Sequence, residues 1–342
     1  MKLPSIFNCS NDMALAAHVR QYLPPKRIQQ MEADLAALAQ VWEDTRFAGP
    51  WGWSLATKRR YERMGVPVEQ LPSDEWLEEV RRLSSREFAC GYIRELLDEL
   101  NDPRLLGEEM RWVERNSLSW DALNASEPMS PMSVNRCPRC RSTDVPDVGL
   151  EVVEASHARI FKSPWSSSGR GVFVGDEDDE RTKARLQGFL SSQGGFVVDR
   201  FYEDKVLDFA MEFFIDEDHV VEFLGYSVFH AAEHGAYGFN YVESQEELLQ
   251  RIDVAGTLLQ QLIAYHQEHL ARTAYHGPVG IDMLKTADGH IHPCLEINFR
   301  LNMGILALLL HEKYGSHAMV DLTPVGDGGF QARLALNTFG VM

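Results

Sequence analysis

The chain has 342 residues, 33 Lys and Arg against 51 Asp and Glu, 44% hydrophobic residues, five cysteines and twelve histidines. That length supports several packed units with their own cores, and a net charge of −18 argues against a general affinity for nucleic acid or anionic membrane. No apolar run approaches the roughly 20 residues that span a bilayer, and an odd number of dispersed cysteines does not suit a disulfide scaffold, so a cytoplasmic location is expected.

The first part of the chain, 1–110, reads as an α/β unit. Ile6 and Phe7 end a short apolar stretch before a polar loop, Asn8 to Asp12, and Ile28, Met31, Leu35, Leu38 and Trp42 recur at helical spacing behind Pro24-Pro25. Pro50-Trp51-Gly52-Trp53 breaks that pattern. Ser73 and Ser85 predict helices over 74–83 and 86–100, the second closed by Asn101-Asp102-Pro103. Between 111 and 150 periodicity fades around Cys137-Pro138-Arg139-Cys140, which reads as a linker or insertion. Half of a tetrahedral zinc site without a second CxxC is expected to be a plain loop.

From 151 to 342 the pattern is rich in strands. The segments 196–202, 207–215 and 220–229 predict closely spaced antiparallel strands. Ser244 and Glu247 form a capping box that opens a helix carrying Leu248, Ile252, Leu259, Leu262 and His266. A hairpin follows, 279–285 and 291–299 around Asp288-Gly289.

Two segments carry chemistry. In Phe161-Lys162-Ser163-Pro164-Trp165-Ser166-Ser167-Ser168-Gly169-Arg170-Gly171, a lysine at a strand end feeds a loop of small residues whose N–H and hydroxyl groups can wrap phosphate oxygens, with Lys162 and Arg170 supplying charge. A flexible Ser/Gly turn is the bland alternative. The second is Gly280-Ile281-Asp282-Met283 with Leu295-Glu296-Ile297-Asn298-Phe299-Arg300. Glu296 and Asn298 project to one strand face, and a three-residue turn centred on Gly289 places Asp282 opposite Glu296. Two carboxylates and an amide are hard oxygen ligands suited to Mg²⁺; the alternative is a solvated polar strand face.

These residues, in this order, resemble the ATP-grasp superfamily over about 158–304. The resemblance implies an N-terminal α/β domain followed by grasp domains whose antiparallel sheets hold ATP between them, with a hinge near 199–204. It implies that Lys162 contacts the ATP phosphates under a loop formed by Ser166, Ser167, Ser168, Gly169 and Arg170. Asp199, Arg200, Phe201 and Tyr202 would line the adenine, with Asp208 near the ribose. Asp282, Glu296 and Asn298 would hold Mg²⁺, and Arg300 would face the transferred phosphoryl group or acyl phosphate. The family usually has another ATP-binding lysine upstream; none is placed in this sequence, where Arg86 and the 136–141 stretch are weak substitutes. Tyr237 and Asn240, in a glycine-punctuated loop, are candidate substrate contacts.

The implied activity is ATP- and Mg²⁺-dependent ligation of a small-molecule or peptide carboxylate to an amine or other nucleophile, through an acyl phosphate. A grasp-fold small-molecule kinase and a catalytically silent ATP-binding module are the alternatives, and a homodimer is compatible with all three. Two other strings are discounted. His230-Ala231-Ala232-Glu233-His234 matches a zinc-protease pattern but follows a strand and ends at Gly235, leaving no room for the helix that pattern needs. His290-Ile291-His292 reads as a solvated hairpin tip.

Overall fold

Ser54, Ser73 and Ser85 each turn a side-chain oxygen onto a backbone N–H two residues inside a helix, starting α3 (Leu55–Arg63), α4 (Asp74–Leu83) and α5 (Arg86–Leu100). The computed structural model describes residues 3–114, 158–166, 171–231, 237–315, 318–324 and 329–336. The N-terminal part adds α1 (Asn11–Ala17) and α2 (Lys26–Asp34). It is helical, its strand character among the described residues reduced to two isolated parallel bridges, Ile6 with Pro50 and Leu105 with Ile291. The apolar stretch before Asn8 is too short to pair further. Cys137 and Cys140 lie outside the described residues.

Two antiparallel sheets follow. The smaller has the order β1 (Arg111–Glu114), β4 (Gly195–Arg200), β2 (Arg159–Lys162), β3 (Val172–Gly175), and it packs Phe161, Phe173, Phe196 and Val198 against α6 (Glu180–Gln193). The larger runs β11 (Phe330–Leu336), β10 (Ala318–Pro324), β7 (Tyr237–Val242), β6 (Val221–Ala231), β5 (Lys205–Ile215), β8 (Gly277–Thr286), β9 (Ile291–Asn298). The fold is therefore the expected combination of helices with antiparallel sheets.

Each strand of the larger sheet alternates between two faces. Phe209, Met211 and Phe213 of β5, with Ile281 and Met283 of β8, are completely buried in the main core beneath α7 (Gln245–Ile252) and α8 (Gly256–Leu270). The opposite face carries Asp208 and Glu212, Ser227, Asn240, Asp282, and Glu296 with Asn298, and α9 (Met303–Tyr314) lies across part of it. The Ser244–Glu247 capping box forms as expected, but Asp253 in the left-handed conformation ends α7, splitting the single expected helix in two.

The hairpin register also follows expectation, by a different route. Asp282 pairs with Glu296, yet nearer the turn Leu284 pairs with His292, so β9 advances four residues where β8 advances two. A β-bulge supplies the offset assigned from sequence to the turn. His292 corrects the reading of a solvated tip: it is completely buried, because the bulge turns this part of β9 inward, and only His290 stays at the turn beside Asp288.

The N-terminal part is tied to the larger sheet by backbone. Trp51 donates its N–H to Ile6 O and accepts at its own carbonyl from Leu301 N at 2.9 Å. Phe7, Trp42 and Trp51 then share a core with Leu301, Ile305 and Leu306. Buried Asn8 pins the two loops together, donating to Gly52 O at 2.8 Å and Thr57 Oγ1 at 3.1 Å and accepting from Gly52 N. Asn8→Ala strands these buried partners, so urea denaturation should show a loss of about 1–3 kcal/mol; a change below about 0.5 kcal/mol would show the loops are held by other contacts.

Candidate active site

Three parts of the chain meet at one cavity of about 420 Å³. From the lysine loop comes Ser166; from the acidic hairpin come Asp282, Glu296, Asn298 and Arg300; from the N-terminal part come Asp12 and Arg86. Tyr237 and Asn240 of β7 also line it. Ser167, Ser168, Gly169 and Arg170 lie outside the described residues, as do Glu233 and His234, while His230 sits within strand β6.

Lys162 ends β2 and is buried, its Nζ 3.4 Å from Asp199 Oδ2. His292 Nε2 stands 3.4 Å from the same oxygen. Burial alone would raise the Asp199 carboxyl, but the Lys162 charge and His292 outweigh it and hold it down at about 2. This buried triad is separate from the cavity lining. Tyr202 packs edge-on against His292, Arg200 is exposed and stacks over Tyr202, Phe201 is 37% exposed, and Asp208 is paired with Lys205 at 2.7 Å.

Arg86 is a buried cation that bridges the lysine loop and the acidic hairpin. Only 5% exposed, it donates Nη1 to Ser163 O and Ser166 Oγ, both at 2.7 Å, and Nη2 to Glu296 Oε2 at 2.8 Å. Its backbone N–H bonds Pro164 O at 3.1 Å. A planar guanidinium can serve both partners at once in a way an ammonium cannot. Its signal in the sequence was the residue next to a serine cap, at the first turn of α5.

Arg300 is held as firmly. Asp12 receives its Nε at 3.0 Å and its Nη2 at 2.9 Å, and Leu301 O receives Nη1. Burial works against the guanidinium charge, and Asp12 with Glu296 and Asp282 outweighs it. Asp12 was legible only as part of a polar loop; no local pattern tied it to a residue 288 positions away.

Asp282, Glu296 and Asn298 share the polar sheet face as expected, and Asn298 Nδ2 donates to Asp282 Oδ2 at 3.1 Å. Burial and the neighbouring Glu296 and Glu212 push the Asp282 carboxyl well up. Glu296 is compensated by Arg86, so Asp282 bears the cost of the crowded charge. Among the described residues no three His, Cys, Asp or Glu side chains converge on a metal position. The donor set is two carboxylates and an amide, and its hard oxygens fit a cation such as Mg²⁺.

Glu212 of β5 was not singled out from the sequence, and it also lines the cavity. It is 1% exposed and accepts from Asn302 Nδ2 at 2.7 Å and Ser227 Oγ at 2.8 Å. Burial raises its carboxyl to about 7 against these two bonds and Arg300. A carboxyl raised on folding favours the proton in the folded state, so folded stability falls as pH climbs from about 4.5 to about 7 and is then constant. Glu212→Gln removes that dependence. The stability advantage of the variant over the parent should grow across this window by up to about 3 kcal/mol, measured by denaturation at several pH values; a flat difference would mean an ordinary Glu212.

No protein-family model and no curated protein sequence matches the chain. Among solved structures it is similar to a biotin carboxylase–beta-gamma-ATP complex from Campylobacter jejuni, at 12% identity and a TM-score of 0.48, over 98% of this chain and 74% of that one. It is similar to a pyruvate carboxylase of Rhizobium etli at 15% identity and a TM-score of 0.38, over 46% of this chain but only 14% of that one. An ATP-grasp superfamily protein from Archaeoglobus fulgidus is similar at 16% identity and a TM-score of 0.34, over 53% of this chain and 56% of that one.

Proposed function

We propose that the chain is an ATP-dependent ligase of the ATP-grasp type, which activates a substrate carboxylate as an acyl phosphate for attack by an amine or another nucleophile. The observation that carries this reading is the single guanidinium of Arg86 reaching both the lysine loop and Glu296. In this reading the loop would bind phosphate and the hairpin a cation, side by side as phosphoryl transfer requires.

In this reading Lys162 and the loop from Ser166 to Arg170 bind the ATP phosphates, and Arg86 fixes the approach of that loop to the acidic hairpin. The hinge residues Asp199, Arg200, Phe201 and Tyr202 line the adenine, with Asp208 toward the ribose. Asp282, Glu296 and Asn298 would hold Mg²⁺, which when bound neutralises phosphate oxygens. Arg300, kept in place by Asp12, faces the oxygens of the group being transferred and stabilises the charge that builds there. A preorganised cation costs no reorganisation when the charge develops, which is why its clamp matters. Tyr237 and Asn240 lie toward the substrate.

The reading is tested on the whole chain by nucleotide binding and then by turnover. Lys162→Ala should weaken MgATP by about tenfold or more in calorimetry, since charge-assisted bonds to phosphate contribute roughly 1.5–3 kcal/mol. Glu296→Gln should abolish most of the Mg²⁺-dependent part of the thermal stabilisation by ATP. Carboxylate and amine mixtures that stimulate phosphate release identify a ligase; phosphorylated product without the amine identifies a kinase. Unchanged ATP affinity in Lys162→Ala would remove the phosphate role.

A further inference from the structure

One carboxylate in the cavity has no part in the reading above. Glu212 is placed by an arrangement that costs the fold two side chains. A Cβ on Gly304 would overlap its Oε1 and the Ser227 hydroxyl, and one on Gly280 would overlap the Asn302 amide and approach Oε2. Glycine at both positions leaves the space in which Ser227 and Asn302 hold the two oxygens.

What this carboxylate lacks is a cation. Among the described residues it makes no ion pair, and Arg300, whose charge reaches it, is engaged by Asp12. An ionised carboxylate out of water without a counter-charge is costly, and hydrogen bonds from neutral donors compensate only part of that cost. Asn240, 1% exposed on the same cavity wall, has an amide oxygen with no partner among the described residues. Among the described residues the wall thus presents one unpartnered acceptor, the Asn240 oxygen, beside a carboxylate that has hydrogen bonds but no counter-charge. A carboxylate ligand would supply Glu212 with no counter-charge and would repel it when ionised, and a hydroxyl would leave the charge unpaired. Away from these groups the cavity is lined by Phe7, Ile28, Met31, Leu322 and Phe330, with the Arg27 guanidinium lying over the Phe330 ring.

We propose that this part of the cavity is the nucleophile subsite and takes a primary ammonium group on an apolar body, the cation against Glu212 and the body against Ile28, Met31 and Phe330. The proposal rests on the ligase reading and narrows its second substrate to an apolar amine. Glu212 selects that substrate by charge, and the apolar wall selects the group that carries it.

The test is calorimetric titration of the full chain, saturated with MgADP, with leucinamide and phenylalaninamide as probes and with N-acetylleucinamide and 4-methylpentanoate as controls. The two ammonium probes should bind roughly tenfold or more tightly than either control, and Glu212→Gln should remove that preference. Met31→Lys, which leaves Glu212 in place, should also weaken the ammonium probes while MgADP still binds; it covers the case in which Gln at 212 disturbs the network. Equal binding of the acetylated probe, tighter binding of the carboxylate, or an unaltered preference in Glu212→Gln would overturn the subsite alone. Failure of MgADP itself to bind would overturn the ligase reading, and this proposal with it.

Discussion

The candidate site depends on one buried guanidinium. Arg86 joins the first turn of α5, the loop after β2 and the end of β9 through four hydrogen bonds, all made at a residue 5% exposed. A buried charge is tolerated only where its partners are supplied in good geometry, and here the partners come from segments 77 and 210 residues away. That requirement couples the smaller sheet to the larger one. Any movement of the lysine loop that breaks the Ser163 and Ser166 bonds leaves the guanidinium with Glu296 as its remaining side-chain partner.

The second clamp, between Asp12 and Arg300, serves the N-terminal part in the same way. Its bidentate geometry fixes a direction as well as a distance. The backbone bond from Leu301 to Trp51 carries the neighbouring residue of β9's continuation against the aromatic core of Phe7, Trp42 and Trp51. The helices before residue 101 therefore do more than cover the sheet: they deliver both of the counter-charges that set the cations of the site or receive them. The distribution of charge follows from this. Glu296 and Arg300 are paired, Asp282 and Glu212 are not, and it is on the latter two that burial raises the carboxyl.

A third feature is the division of the larger sheet into an apolar and a polar face. Strict alternation along β5 places Phe209, Met211 and Phe213 in the core and turns Asp208 and Glu212 the other way. The polar groups on the cavity side are thus a direct product of strand period, while their mutual distances depend on register, and register here depends on a bulge. Without the extra residues in β9, Asp282 would face a different residue of that strand.

By itself the sequence determined what local physics determines. Serine caps set the starts of α4 and α5, the capping box set the start of α7, and alternation assigned Asp282, Glu296 and Asn298 to one face. Lys162 at a strand end before small residues was legible for the same reason, since strand, charge and loop are neighbours in the chain. What only the tertiary structure decided involves partners far apart in sequence. Arg86 became the cation beside the lysine loop, Asp12 became the clamp on Arg300, His292 went into the interior beside Asp199, and Glu212 took its place on the cavity wall. None of these has a local signature, because a charge at a helix start or a histidine near a turn is read in sequence as solvated. Burial reverses that reading, and burial is set by the packing of segments that the chain order keeps apart.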